Sequence, residues 1–316
     1  MDLSFVPLLR CPSCLAAALD QYPLVQSAEG RCRDGVLVCR CCRAWFPISE
    51  FVLALLPEGR EQPGIRDEFW SRHRIRLANL GLQPPAPPHR EPDPGFAAQA
   101  HQREHFDDLA RREDKYSLRA FSRLPFQRAF RDLTFEQWRR RIEPGSVVLD
   151  IGCGDGISTF DLAGSGARVL GFDISRESVV RAAAGARERG MPGVSFFVGD
   201  ADAIPVANAA VDCVLCFGAL HHVPDPARTL GEAGRVLRTG GLYFGVENNR
   251  TPLRPAFDLL ARLWSLWREE AGAEAQPATT RSSSSLPLHD AVCSGRRRSD
   301  LRPRKDGPPR LRRDDP

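Results

Sequence analysis

Short apolar runs recur through the middle of the chain, separated by stretches with helical periodicity. Val147–Ile151, 168–172, Val194–Val198, Val211–Phe217 and 242–246 are each five to seven residues long and mostly apolar. Strands of a parallel sheet read this way when helices cover both faces. After the second run a helix is predicted from Ser175 as N-cap to a stop at Gly190. After the fourth, Asp225 caps another helix with Pro226 at its first position, Leu230, Ala233 and Leu237 on one face, and Gly240 and Gly241 as its end. Strands alternating with helices predict an α/β fold, a Rossmann-like doubly wound sheet. Residues 96–143 also read as helical, with Phe106, Leu109 and Ala110 on one face, and 252–270 as an amphipathic helix carrying Phe257, Leu260, Trp264 and Trp267. Beyond 271 the pattern stops. Residues 271–316 hold six prolines, one Val and no aromatic residue, which predicts a disordered or non-native tail. The strands expected after the fifth are then missing, the fifth is an exposed edge, and the acceptor pocket is incomplete.

Composition divides the chain further. Residues 1–57 are rich in cysteine and end in an apolar run, 58–95 form a linker with QPPAPPHREPDPG at its end, and 96–270 carry the strand–helix pattern. The net charge is +4, but residues 281–316 alone supply +5, so charge does not argue for a nucleic-acid-binding core. No apolar run reaches about 18 residues, so no membrane span is expected. The N-terminal residues lack the basic region of a secretory signal, and the expected location is cytoplasmic.

The first strand runs into VVLDIGCGDG at 147–156. Asp150 ends it, and Gly152, Cys153, Gly154 and Gly156 turn the chain towards a helix, where glycines let a ligand approach the backbone. The plain alternative is a tight turn with no ligand. The context favours a ligand: the second strand leads to Asp173, 21 residues beyond Gly152 and placed to accept from two ribose hydroxyls, the third to Asp200 and Ala201, and the fourth to FGALHHV at 217–223. All four lie on the edge where open α/β sheets bind ligands. A nicotinamide dehydrogenase fingerprint would need glycine at 157, where this chain has Ile157.

The run DIGCGDG…GFDIS…GDADAIPVANAAVDCVLCFGALHHVPDPARTLGEAGRVLRTGGLYFGVE resembles the class I methyltransferases that include the ubiquinone and menaquinone biosynthesis enzymes. The resemblance implies S-adenosylmethionine as cofactor. It implies that Asp150 and the loop of Gly152, Cys153, Gly154 and Gly156 hold the methionine end, that Asp173 binds the ribose, that Asp200 and the backbone of Ala201 read the adenine, and that Phe217 lies beside the transferred methyl. The run HFDDLARREDKY is similar to the helix that caps the cofactor in quinone-pathway methyltransferases. His221 and His222 are candidate general bases, although methyl transfer is mainly in-line positioning and often needs no strong base.

Ten cysteines are present, six of them within 11–42. Cys11 with Cys14 and Cys39 with Cys42 form two CxxC pairs, the spacing of a tetrahedral structural zinc site, with Cys41 and Cys32 as competing ligands. A unit of this size buries little core, a second reason to expect a metal. LLRCPSC…GVLVCRCCRAWFPISEFVLALLPE resembles the small zinc-ribbon activator of translation-factor and RNA methyltransferases, which implies structural zinc and a docking role for a protein partner.

The acceptor is open at this point. A small molecule, lipid or quinone-like compound is expected. RNA is an alternative, supported by a basic surplus over 101–141 and by ribosomal-RNA methyltransferases that carry an N-terminal zinc module, though their ligand set includes a histidine that this ribbon lacks. An inactive cofactor-binding scaffold docking through the ribbon is another.

Overall fold

The computed structural model describes residues 1–57, 60, 64–85, 97–111, 125–247 and 293–296. Its centre is a ten-stranded sheet in the order β1-β2-β3-β4-β7-β6-β5-β8-β9-β10. The five strands β5 (Val147–Ile151), β6 (Arg168–Asp173), β7 (Val194–Val198), β8 (Val211–Phe217) and β9 (Leu237–Val246) are mutually parallel. Alternate residues of each strand feed opposite faces, as a period of two demands. Val148, Val169, Phe196 and Leu215 meet α3 (Pro125–Arg139), α4 (Ile157–Ala163) and α5 (Arg176–Glu188). Leu149, Leu170, Phe197 and Val214 face α6 (Pro226–Val236) and the apolar N-terminal segment around Phe5, Val6 and Leu9. Ser175 and Asp225 cap α5 and α6 through their side chains as expected, and Pro226 opens α6.

The cysteine-rich region is not packed apart. Its strands β1 (Leu19–Gln26), β2 (Cys32–Cys39), β3 (Trp45–Ser49) and β4 (Val52–Ala54) form an antiparallel meander. Its last strand then pairs in parallel with β7, Leu53 beside Phe197 and Ala54 beside Val198. The apolar run 51–56 therefore continues the central sheet. Cys11, Cys39, Phe46 and Leu53 share one core with Leu149, Ile151 and Phe172. Helix α1 (Ile65–Asn79) covers the outer face of the meander through Phe69 and Leu77 against Val36, Val38 and Trp45. Helix α2 (Ala97–Arg111) lies within the stretch read as helical.

Two expectations are corrected. Helix α6 ends at Val236, and the last parallel strand starts at Leu237. The register shifts between Val211 beside Leu237 and Cys213 beside Leu242, so Gly240 and Gly241 lie in an irregular stretch, 238–241, inside a strand. The edge of β9 is also paired: β10 (Cys293–Arg296) lies antiparallel on it, Cys293 beside Gly245. Strand pairing uses main-chain donors and acceptors, so a polar stretch can pair without an apolar pattern. The stretch expected as linker holds helix α1; its proline-rich residues 86–95, the remainder of the expected tail and the helix over 252–270 lie outside the described residues. Among the described residues no helix is long and apolar enough to cross a membrane.

Candidate active site and metal centre

The carboxyl ends of β5, β6, β7 and β8 bring the expected acids and glycines to one edge. Asp150, next to the end of β5, is fully buried, with the Thr159 hydroxyl donating to it at 2.6 Å. Burial raises its carboxyl to about 7. Gly152 and Gly154 have φ of 69° and 52°. A Cβ at Gly152 would collide with that of Ala219, so this turn is locked against the segment after β8. A Cβ at Gly154 would meet nothing within 4 Å. The loop therefore leaves open space above a backbone that a ligand can approach. Cys153 is buried beneath it.

Asp173 organises the loop. One carboxylate oxygen accepts from the Gly154 amide at 3.0 Å and the other from the Ser175 amide at 2.9 Å. Each oxygen keeps a second lone pair, enough for a pair of ribose hydroxyls. Burial raises this carboxyl above the ordinary range. Asp200, raised by burial as well, accepts from the Asp202 amide at 2.9 Å in the single turn that Ala201 opens.

Helix α2 spans this edge. Asp107, buried, accepts from the Ser175 hydroxyl at 2.7 Å, beside Asp173. Gln99 donates to Asp202 at 3.3 Å, beside Asp200. Phe106 meets the His222 ring edge-on at 5.1 Å. The helix thus touches the segments after β6, β7 and β8. Apolar periodicity signals Phe106 but not Gln99 or Asp107, because those two are polar.

The two histidines differ. His222 is half-buried between Phe106 and His221, and its pKa is lowered first by burial and then by the neighbouring His221. His221 is more exposed, with Nδ1 2.7 Å from Glu247. The other Glu247 oxygen accepts from the Leu220 amide at 2.7 Å. Glu247 went unremarked in the sequence; its signal is an acid immediately after an apolar strand. Phe217 packs its ring on Phe135 and Trp138 of α3, with centroids 5.3 and 6.2 Å away.

In the cysteine-rich region the ligand atoms of Cys11, Cys14, Cys39 and Cys42 all lie within 4.8 Å of one another. Cys11 to Cys42 is 3.6 Å and Cys14 to Cys39 is 3.5 Å. Tetrahedral zinc with bonds of about 2.3 Å sets its sulfurs about 3.8 Å apart, so the cluster has the size of a four-thiolate zinc site. The two halves repeat one backbone pattern. The Leu15 amide donates to the Cys11 carbonyl and that of Arg43 to Cys39, and the Cys11 and Cys39 amides donate to Ala16 and Ala44. Leu15 and Arg43 both have positive φ, 65° and 63°. This repeat places Cys42, not Cys41, in the second knuckle. Cys41 is exposed and Cys32 is buried against the Asp34 carbonyl, both outside the cluster.

The sequence family described as "Methyltransferase domain" matches residues 149–245, the segment that carries Asp150, the glycine loop, Asp173, Asp200 and the two histidines. Residues 149–245 are thus similar to a methyltransferase domain. A ubiquinone biosynthesis O-methyltransferase of Paracidovorax citrulli is 36% identical over 107 residues, 34% of this chain and 45% of that protein. A demethylmenaquinone methyltransferase of Beutenbergia cavernae is 35% identical over 150 residues, 48% and 59% of the two chains. The chain thus spans about half the length of these curated relatives. A solved complex between the Haloferax volcanii Trm112 methyltransferase activator and a methyltransferase is similar at 26% identity and a TM-score of 0.39, covering 51% of this chain and 66% of that one.

The buried acids of the methyltransferase domain make its stability depend on pH. The folded Asp150 carboxyl stays protonated up to about pH 7, whereas an unfolded one ionises near 4. The folded state therefore binds more protons across this window, and stability falls as pH rises from about 4 to about 7. In ligand-free protein the urea midpoint should fall across that window in wild type relative to Asp150→Asn. Parallel profiles would mean that Asp150 ionises in the folded protein as it does in water.

Proposed function

We propose that the protein is an S-adenosylmethionine-dependent methyltransferase that acts on a small-molecule, quinone-like acceptor, with a structural zinc in its N-terminal ribbon. The observation that carries the reading is the convergence of Asp150, the open Gly154 turn, Asp173 and Asp200 at the carboxyl edge of adjacent parallel strands. The names of the quinone-pathway relatives support the acceptor class.

Asp150 and the backbone of Gly152, Cys153, Gly154 and Gly156 would hold the cationic methionine end. Asp173 would bind the ribose hydroxyls, and Asp200 with Ala201 the adenine. Phe217, through its backbone at the end of β8, would border the methyl side while its ring anchors that strand end to α3. When bound, the cofactor supplies a methyl group on a sulfonium. The chain's own part is to align the acceptor, exclude water under α2 and take up the acceptor's proton. His221, oriented by Glu247, and His222, held largely neutral by burial, are placed at the rim for that last task. Cys11, Cys14, Cys39 and Cys42 would hold the zinc.

Incubation with tritiated S-adenosylmethionine and a reduced quinone extract should move label into the organic phase. Label transferred instead to RNA, and lost on ribonuclease treatment, would overturn the acceptor class. Cofactor binding without transfer to any fraction would leave a scaffold rather than an enzyme.

A further inference from the structure

Gln99 of α2 is nine-tenths buried. Its amide nitrogen donates to one oxygen of the Asp202 carboxylate, and the Thr229 hydroxyl donates to the other at 2.8 Å. A carboxylate accepts only, so Asp202 requires the nitrogen of Gln99 and fixes which way the amide faces. A flipped amide would set oxygen against oxygen. The Gln99 carbonyl oxygen is consequently turned away from Asp202, buried and without any hydrogen-bond partner. Buried acceptors in native proteins are rarely left so, and an orphan of this kind points to a donor supplied by something absent.

Its surroundings say what kind of donor. Asp202 is joined to Asp200 by the turn in which the Asp200 carboxylate accepts the Asp202 amide. The Gln99 oxygen and the Asp200 carboxylate thus offer two acceptors at one end of the site. Acceptors suit an amino group and repel a carbonyl. The same helix carries Asp107 at its other end, bonded to Ser175 beside Asp173. A ligand whose ribose lies on Asp173 therefore has the bonds of α2 on both sides of it.

Building on the methyltransferase reading above, we propose that Gln99 is a specificity residue that reads the exocyclic amino group of the cofactor's adenine and ties α2 down over the bound nucleoside. The residue selects a 6-amino purine over a 6-oxo purine. A site built to bond one group rejects the analogue that lacks it, because its buried polar atoms are then left unpaired.

The test is calorimetry with S-adenosylhomocysteine and its inosine counterpart, S-inosylhomocysteine, on wild type, Gln99→Leu and Gln99→Met. Wild type should prefer the adenosyl ligand by about 100-fold or more. Both variants should lose about tenfold in adenosyl affinity and little or nothing in inosyl affinity, so the preference shrinks about tenfold. The donor that Asp202 loses is lost with either ligand and cancels in the ratio. A helix that merely packs would weaken both ligands equally, and an unchanged ratio in the variants overturns the proposal. Failure of wild type to bind either ligand would instead sink the methyltransferase reading on which it rests.

Discussion

Replacing Cys14 with Ser should release the zinc and destabilise the whole protein, not the first 57 residues alone. Cys14 is exposed, so the substitution itself disturbs little packing. The metal is another matter. A structural zinc contributes about 10–16 kcal/mol in zinc-finger peptides, comparable with the entire stability of an ordinary domain. A composition-based boundary at residue 57 leads one to expect that only the ribbon would unfold. The sheet argues otherwise. Strand β4 is hydrogen-bonded to β7, and Cys11 and Cys39 lie in the same core as Leu149, Ile151 and Phe172. Losing the metal exposes the edge of β7 and one end of that core together. Even about 5 kcal/mol would lower the melting temperature by about 10–20 °C in a domain of this size. Elemental analysis should find one zinc per wild-type chain and none in Cys14→Ser, and calorimetric melting should show a single transition shifted down. No zinc in wild type purified without chelators would refute the metal site. An unshifted main transition in Cys14→Ser would refute the coupling.

Much of this was legible in the sequence where burial writes itself into composition. Strands β5, β7 and β8 begin and end where their apolar runs do, because a strand covered on both faces is apolar at most positions and carries only single polar residues such as Ser195. The caps of α5 and α6 were legible for a similar reason: Ser175 and Asp225 supply acceptors that helix starts require. What was not legible depended on partners distant in sequence. The run 51–56 is apolar in the way any buried strand is, and nothing within it says that its neighbour is β7. Gly240 and Gly241 look the same whether they stop a helix or lie in an irregular stretch of a strand. Gln99 and Asp107 are polar residues on a helix, which reads as a solvated face until the fold lays that face against Asp202 and Ser175. Cys41 and Cys42 are adjacent, and the folded knuckle, with its repeated amide bonds and the positive φ of Arg43 matching that of Leu15, separates ligand from bystander.

The second large effect is expected at Asp173. It does two jobs at once: it holds the glycine loop through the Gly154 and Ser175 amides, and it faces the position proposed for the ribose. Hydrogen bonds to a charged acceptor are worth about 1.5–3 kcal/mol each. Removing two of them in Asp173→Ala should weaken cofactor binding by about 100-fold or more, with any loosening of the Gly154 turn adding to the loss. Asp173→Asn keeps the size and one acceptor and should fall between. The decisive measurement is a calorimetric titration of S-adenosylhomocysteine into folded wild type and Asp173→Ala, with melting curves run on the same samples. The account predicts one site per chain of micromolar affinity in wild type and little or no heat in Asp173→Ala. No binding by folded wild type, or equal affinity in the two proteins, would contradict it.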